Sequence, residues 1–306
     1  MSRKHPIIAI TGSSGAGTST VKEAFSHMFR REGITPAVIE GDSFHRYNRA
    51  EMARKVAEAE REGCRAFSHF GPDANLFGEL EALFRSYGES GGGRRRLYLH
   101  NEEEAAAFAE LDLKPGQFTP WEPLPANTDL LFYEGLHGCV VTDENNVAQH
   151  ADLKIGVVPV INLEWIQKIH RDTQQRGYSE KAVMDTILRR MHDYVHYIVP
   201  QFKLTDINFQ RVPVVDTSDP IIARDIPTPD ESLVVIRFRK PDRFGVDYPF
   251  LLQMLQGSWM SRRNTIVVPG GKMGLAMELI LTPILRSLMA ERRRAMAEAK
   301  TLQPAG

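Results

Sequence analysis

A chain of 306 residues with 42% hydrophobic content can bury a sizeable core, and one large α/β domain with insertions is expected. Its formal net charge of -1 gives no global attraction to nucleic acid or to an anionic membrane, so any basic chemistry has to be local. Two cysteines, Cys64 and Cys139, lie far apart and support neither a disulfide framework nor a zinc site, which fits a reducing cytosol. The N-terminus leads straight toward a strand, and no run approaches the roughly 18 apolar residues of a membrane helix. A cytoplasmic protein without a membrane partner is expected.

In chain order, Pro6 to Ile10 is short, apolar and branched, as a buried parallel strand should be, and Thr18 to Arg31 has helical spacing with a stripe of Val21, Phe25, Met28 and Phe29. Ala37 to Asp42 reads as a second strand ending in a carboxylate, followed by a basic segment from Ser43 to Arg49. Met52 to Glu62 and Asn75 to Tyr87 are peripheral helices. After the turn Gly91-Gly92-Gly93, the run Arg94-Arg95-Arg96 opens a short strand Leu97-Tyr98-Leu99; the run itself is read as a solvated face or an interface. Glu102 to Glu110 is acidic and alanine-rich, and Lys114 to Asn127 is a proline-rich loop. Leu130 to Glu134 and Leu153 to Val158 continue the sheet. Leu163 to Arg176 and Ser179 to Ile198 are helical, broken at Arg176-Gly177-Tyr178. Strands at Asn208 to Val215 and Leu233 to Arg239 precede a terminal helix, Met273 to Lys300, whose charged last turns are open to fraying. The order predicts an α/β fold: a doubly wound, mostly parallel (mixed) sheet flanked by helices, with late antiparallel additions.

The residues Gly12-Ser13-Ser14-Gly15-Ala16-Gly17-Thr18-Ser19 fit the phosphate loop G-x-x-x-x-G-K-[ST] everywhere except the lysine, which is Thr18. A strand, a glycine loop and a helix in that order gather backbone N-H groups and a helix N-terminus around one point, which suits a polyphosphate anion and makes the expected fold one of P-loop NTPase type. The glycine order is not that of a Rossmann dinucleotide site. Magnesium bound there needs oxygen ligands, for which Ser19 and the strand-end Glu134 are the candidates. Transfer to an alcohol needs a base, and Asp42 at a strand's carboxyl end is the best placed. His45, Arg46 and Arg49 just beyond it argue for an acceptor that already carries a phosphate. In Lys168-Ile169-His170-Arg171-Asp172-Thr173-Gln174-Gln175-Arg176-Gly177, three cations (Lys168, Arg171 and Arg176) surround Asp172 near a helix end. They suit a lid, with Lys168 replacing the charge that Thr18 lacks. The bland reading of each charge cluster is a solvated face.

Two patterns are set aside. His170-Arg171-Asp172 matches the start of the protein-kinase catalytic loop, but no leucine follows and Gly177 stands where asparagine is needed. His192 and His196 flank Asp193 like a degenerate zinc-protease helix, yet the required glutamate and a third ligand are missing.

The segments Gly12 to Thr20, Glu40 to Arg46, Phe132 to Gly138 and Lys168 to Gly177 together make the chain resemble phosphoribulokinase of the bacterial class over nearly its whole length. Lys-x-x-Arg-Asp followed by Arg-Gly is the most specific of the matches; one departure is Glu180 standing a position early, with Lys181 in its usual place. The resemblance implies ATP-dependent phosphorylation of D-ribulose 5-phosphate to D-ribulose 1,5-bisphosphate, for Calvin-cycle carbon fixation. It implies nucleotide contacts from Gly12 to Thr20, Asp42 as base and Asp172 as a second essential carboxylate. His45 and Arg49 are implied as sugar-phosphate contacts, and Arg171 and Arg176 as ligands of substrate or transition-state charge. Thr18 is typical of this class, which leaves Lys168 as the stand-in. The loop has no cysteine, so thiol-based redox control is not expected. The class is an octamer activated by NADH and inhibited by AMP, with Arg31, Arg237 and Arg262 at effector-related positions. A uridine or pantothenate kinase would share the loop, Asp42 and a lid without needing the cluster after Asp42. A nucleotide-binding switch would need no acceptor site, and the Asn-Lys-x-Asp motif of GTPase switches is absent.

Overall fold

Strand β1 (Ile7–Gly12) is buried along its whole length, as a near-continuous apolar run requires when helices cover both faces of a sheet. In the computed structural model, which describes residues 4–12, 18–64, 66–174, 177–223 and 225–301 (backbone only for 18–20 and 300), it is followed by α1 (Thr18–Glu32) and β2 (Pro36–Glu40). Next come α2 (Arg49–Arg61), α3 (Phe77–Ser90), β3 (Arg94–Arg95), α4 (Glu102–Ala106) and β4 (Glu122–Pro123). The sheet resumes with β5 (Leu130–Gly135) and β6 (Leu153–Val158), then α5 (Ile161–Gln174), α6 (Glu180–Asp193), β7 (Ile207–Pro213) and β8 (Ser232–Phe238). Last are α7 (Tyr248–Met254), β9 (Trp259–Arg262), β10 (Thr265–Pro269) and α8 (Met273–Thr301).

The main sheet has eight strands in the order β2-β5-β1-β6-β7-β8-β10-β9. From β2 to β7 the neighbours are parallel, and β8, β10 and β9 add antiparallel pairs at one side, as the sequence predicts. Alternation along β1 divides the core in two. Ile8 and Ile10 join Phe25 and Met28 of α1 and Ile280 and Ile284 of α8, while Ile7 and Ala9 join Leu80, Leu83 and Phe84 of α3. The rings of Phe25 and Phe132 meet at 4.9 Å, and burying each such side chain contributes about 2–3 kcal/mol.

Several expectations are corrected. Leu97-Tyr98-Leu99 is not a strand: the ladder is Arg94–Arg95 against Glu122–Pro123, within the predicted loop, and Tyr98 makes a single bridge to Phe118. The second strand stops at Glu40, because the chain turns at Gly41 into a 3-10 turn, Gly41–Phe44. The elements α7, β9 and β10 were not anticipated. Contrary to the reading of hydropathy, one helical stretch, Gly270–Ala299, is long and apolar enough to cross a membrane by length and composition. Half of its most apolar window is buried, with Met277, Ile280, Leu281 and Leu285 in the core, so its hydrophobicity serves packing against α1 and the sheet. Its charged end is anchored by Arg292, which pairs with Asp129 at 3.1 Å and donates to the Thr128 carbonyl.

Candidate active site at the carboxyl ends of β1, β2 and β5

Asp42 owes its position to two glycines. A Cβ on Gly41 would stand 2.6 Å from the Tyr133 hydroxyl and 2.9 Å from Gly135 Cα, so only glycine lets the chain after β2 cross this close to the end of β5. The turn lifts Asp42 off the strand and leaves its carboxylate partly exposed between two imidazoles. His45 Nε2 lies 3.7 Å from one oxygen and His100 Nε2 lies 3.9 Å from the other. His45 is itself buried and stacks on His69 with ring centroids 4.1 Å apart. Burial lowers the His45 pKa, against the opposing pull of Asp42, and burial also holds His69 well below the ordinary histidine range. Both rings are therefore neutral at pH 7.

The turn is clamped from outside by Arg96. Its Nε donates to the Ser43 carbonyl at 2.8 Å and its Nη2 to the His45 carbonyl at 2.5 Å. The guanidinium lies 3.7 Å from the Phe118 ring centroid and 4.9 Å from that of Trp121. Arg49 opens α2 behind an Asn48–Glu51 capping box, is exposed, and donates to the His100 carbonyl at 3.1 Å. Arg46 instead turns back to the Asp73 and Asn75 carbonyls, at 3.2 and 3.1 Å, so its charge serves the loop.

A second constellation is carried by α5 and α6. Asp172 is buried and paired with Lys168, one helical turn earlier, and with Arg171 Nε at 3.1 Å. Burial works to raise the Asp172 carboxyl, but Lys168 and Arg171 outweigh it and hold it below the usual range. Burial, with Arg190 nearby, pushes Lys168 down to about 8 despite the contact with Asp172. Arg190 of α6 is lowered to about 10 by burial and by Arg189, and it lies over the Phe70 ring at 5.2 Å. Phe70, Trp165, Lys168 and Arg190 line one pocket.

The turn at residues 68–71 joins the two groups. His69 stacks on His45, Phe70 lies under Arg190, and the Phe70 carbonyl accepts from His137 Nε2 at 3.1 Å. Burial keeps His137 neutral, with a pKa of about 3. Ser68 Oγ donates to Asp193 of α6 at 2.7 Å. Glu134 stands at the carboxyl end of β5, in register with Ile10 of β1 and Glu40 of β2. Lys22 of α1 pairs with Glu40 and also feels the charge of Glu134.

A model of the phosphoribulokinase/uridine kinase family matches residues 7–218. The plasmid phosphoribulokinase of Cupriavidus necator is 67% identical over 295 residues, covering 96% of this chain and 99% of that protein. The phosphoribulokinase of Nitrobacter vulgaris is 63% identical over 295 residues, covering 96% and 100%. Among solved structures, a phosphoribulokinase from Rhodobacter spheroides is similar with a TM-score of 0.87 and 58% identity, over 95% of this chain and all of that one. The chain belongs to the phosphoribulokinase/uridine kinase family. Its fold is that of a P-loop NTPase, as the loop pattern predicts.

Within this family member the structure gathers Asp42, His45 and Arg49 into one cluster and Lys168, Arg171 and Asp172 into another. Ser13 to Gly17 and Arg176 lie outside the described residues, as do the side chains of Thr18, Ser19 and Thr20. Of the three arginines expected at effector positions, Arg237 and Arg262 flank Thr265 in one row across β8, β10 and β9. Arg31 reaches elsewhere, to Glu278 at 2.8 Å and Thr282 at 2.8 Å on α8. Sequence reasoning missed His69, His100, Arg96 and Arg190. The one local signal was the arginine run, and it pointed away from Arg96, whose aromatic partners lie more than twenty residues further on.

Proposed function

We propose that this kinase transfers the γ-phosphoryl group of ATP to the 1-hydroxyl of D-ribulose 5-phosphate, making D-ribulose 1,5-bisphosphate for Calvin-cycle carbon fixation. One observation carries the acceptor side: a partly exposed carboxylate, Asp42, held between His45 and His100 on a clamped turn, one strand away from Glu134 and two from the phosphate-loop strand. That position beside the nucleotide end of the sheet is where a base must receive the hydroxyl proton as the oxygen attacks. The near full-length relatives named phosphoribulokinase support the choice of substrate.

His45 lies beside the Asp42 carboxylate and, with Arg49 and His100, forms the wall facing the sugar phosphate. Glu134 and Ser19 supply oxygen donors of the kind magnesium prefers, and Glu134 sits at the strand end beside β1 that such a site requires. Magnesium held by these oxygens would neutralise charge on the phosphate groups. Gly12 to Thr20 cradle the nucleotide, and Lys168, held by Asp172, supplies the cation that Thr18 lacks, with Arg171 and Arg176 on transferring charge. A single kinase domain with inserted lid and acceptor segments fits this division of labour. The same reading makes the protein a cytoplasmic homo-oligomer, an octamer by resemblance, activated by NADH and inhibited by AMP through Arg31, Arg237 and Arg262. ADP release measured with ribulose 5-phosphate, uridine, pantothenate or no acceptor tests the assignment. Turnover is expected with ribulose 5-phosphate alone, and preference for a nucleoside, or release needing no acceptor, overturns it.

A further inference from the structure

Thr11, the residue before Gly12, holds a buried hydroxyl at the point where β1 leads into the phosphate-loop sequence. Its neighbours across the sheet are Gly135 of β5 and Gly156 of β6. A Cβ on Gly156 would stand 3.1 Å from Phe202 Cδ1, so the missing side chain gives room for the 3-10 turn Val199–Lys203, which follows α6 and its π-helical turn, Tyr194–Ile198. Gln201 of that 3-10 turn is buried and reaches Thr11. Its Oε1 accepts from the Cys139 N-H at 3.0 Å and from the Thr11 hydroxyl at 2.9 Å, while its Nε2 donates to the Leu136 carbonyl at 2.9 Å and the Tyr197 carbonyl at 2.7 Å. An amide side chain has two accepting and two donating positions, and all four are filled. The partners also fix which way the amide points, because a backbone N-H can only donate and the two carbonyls can only accept. The single proton of Thr11 lies between Gln201 Oε1 and the Leu136 carbonyl, which is 3.0 Å from its oxygen.

On the reading of Gly12 to Thr20 as the nucleotide cradle and of Glu134 as a magnesium donor, we propose that Gln201 is a positioning residue for the nucleotide site. It holds the end of β1 and the segment after Glu134 in one fixed relation to the end of α6. Three stretches far apart in the chain converge on this side chain. Thr11 directly precedes the cradle, Leu136 and Cys139 belong to the segment that follows Glu134, and Tyr197 lies in the turn that continues the helix carrying Arg190. With all four positions filled, Gln201 has none left for the nucleotide, and so it acts through the segments it holds. A buried polar network that is fully satisfied rigidifies its surroundings, and any shift that unpairs one member costs the desolvation of that group. An apolar side chain of similar size would fill the same space without dictating how the three segments sit.

The test uses the full chain and the variants Thr11→Val, Thr11→Ser and Gln201→Leu, with ATP binding measured calorimetrically in excess MgCl2 and both KM values by ADP release. Thr11→Val keeps the branched shape and loses the hydroxyl; it is expected to weaken ATP binding by about 3–10-fold, the worth of one such bond, with the KM for ribulose 5-phosphate little changed. Thr11→Ser keeps the hydroxyl and should bind ATP within about twofold of wild type, since less than one bond is lost. Gln201→Leu empties all four positions and should weaken ATP binding by about tenfold or more. A role confined to core stability would lower the melting temperature and leave the ATP affinity of the folded protein unchanged. That result in Thr11→Val and Gln201→Leu, or an equal loss in Thr11→Val and Thr11→Ser, overturns the proposal; if Gln201→Leu does not fold, the Thr11 pair decides alone. Failure of the wild-type protein to bind ATP would instead overturn the nucleotide reading itself, an outcome the variants do not enter.

Discussion

Replacing Arg96 by alanine removes the outer clamp of the turn that carries Asp42 and His45. The lost contacts are two hydrogen bonds from a charged donor to the Ser43 and His45 carbonyls and a guanidinium held against two aromatic rings. Bonds of that type contribute about 1.5–3 kcal/mol each, and the ring contacts about 0.5–2 kcal/mol. Water can reach the vacated carbonyls, and Arg46 still ties the neighbouring chain to Asp73 and Asn75, so only part of the sum is lost. A net loss of about 3 kcal/mol corresponds to about 150-fold in the population of the clamped turn. The expected result is a fall in kcat of about 10–100-fold with the KM for ATP little changed, because the phosphate loop is on another strand. Arg96→Lys should fall between, since an ammonium cannot fork to two carbonyls or stack as a plane. Steady-state ADP release, with circular dichroism to confirm folding, reads both variants. A folded Arg96→Ala protein with kcat within about twofold of wild type would falsify the clamp, given that one such bond is worth tenfold or more.

Other outcomes follow from the same geometry. Asp42→Asn should fold, bind ATP and lose about 10^2–10^4-fold in turnover, as removal of a positioned base does; a near-normal rate removes Asp42 from that role. Lys168 titrates at about 8, so if its charge holds the nucleotide, kcat/KM for ATP should fall as pH rises through that value, and Lys168→Arg should move the limb upward. In stability the sign is opposite: the unfolded chain holds that proton up to about 10.5, so the Lys168 contribution to stability grows between pH 8 and 10.5, and Lys168→Met should flatten that segment of a urea-melt series. Gly41→Ala forces a Cβ to 2.6 Å from the Tyr133 hydroxyl and 2.9 Å from Gly135 Cα. It should cost about 1–3 kcal/mol in thermal unfolding and lower kcat as well, and an unchanged melting temperature would show that the two strand ends can part freely.

The first βα unit was legible because its signals are local: branched residues from Ile7 to Ile10 and a helical stripe of Val21, Phe25 and Met28, all fully buried. Glu134 was legible for the same reason, as a carboxylate closing an apolar run. Asp42 is expected at the end of a strand and lies instead on a turn, which depends on Gly41 meeting Tyr133, ninety-two residues later in the chain. Leu97 to Leu99 has the composition of a strand but pairs with residues 117–119 through only one bridge, Tyr98 to Phe118, while two arginines and a Glu-Pro pair form the ladder. His69, His100 and Arg190 act through stacking, charge and a shared turn between distant segments, and no spacing rule reports such contacts. Strand β10 forms because β8 offers an edge to pair with, and β9 in turn pairs with β10, which composition alone does not reveal.

Between Glu40 and Leu130 the chain leaves the sheet and comes back to the strand immediately beside the one it left. Asp42, His45, Arg49, His69, Arg96 and His100 all belong to that excursion, while the phosphate loop precedes it and Lys168 and Asp172 follow it. Under the proposed function, acceptor recognition is a cassette mounted between two adjacent parallel strands. Its contents can be lengthened or exchanged without altering the register of the sheet, which gives a physical route by which one nucleotide engine comes to serve chemically different alcohols.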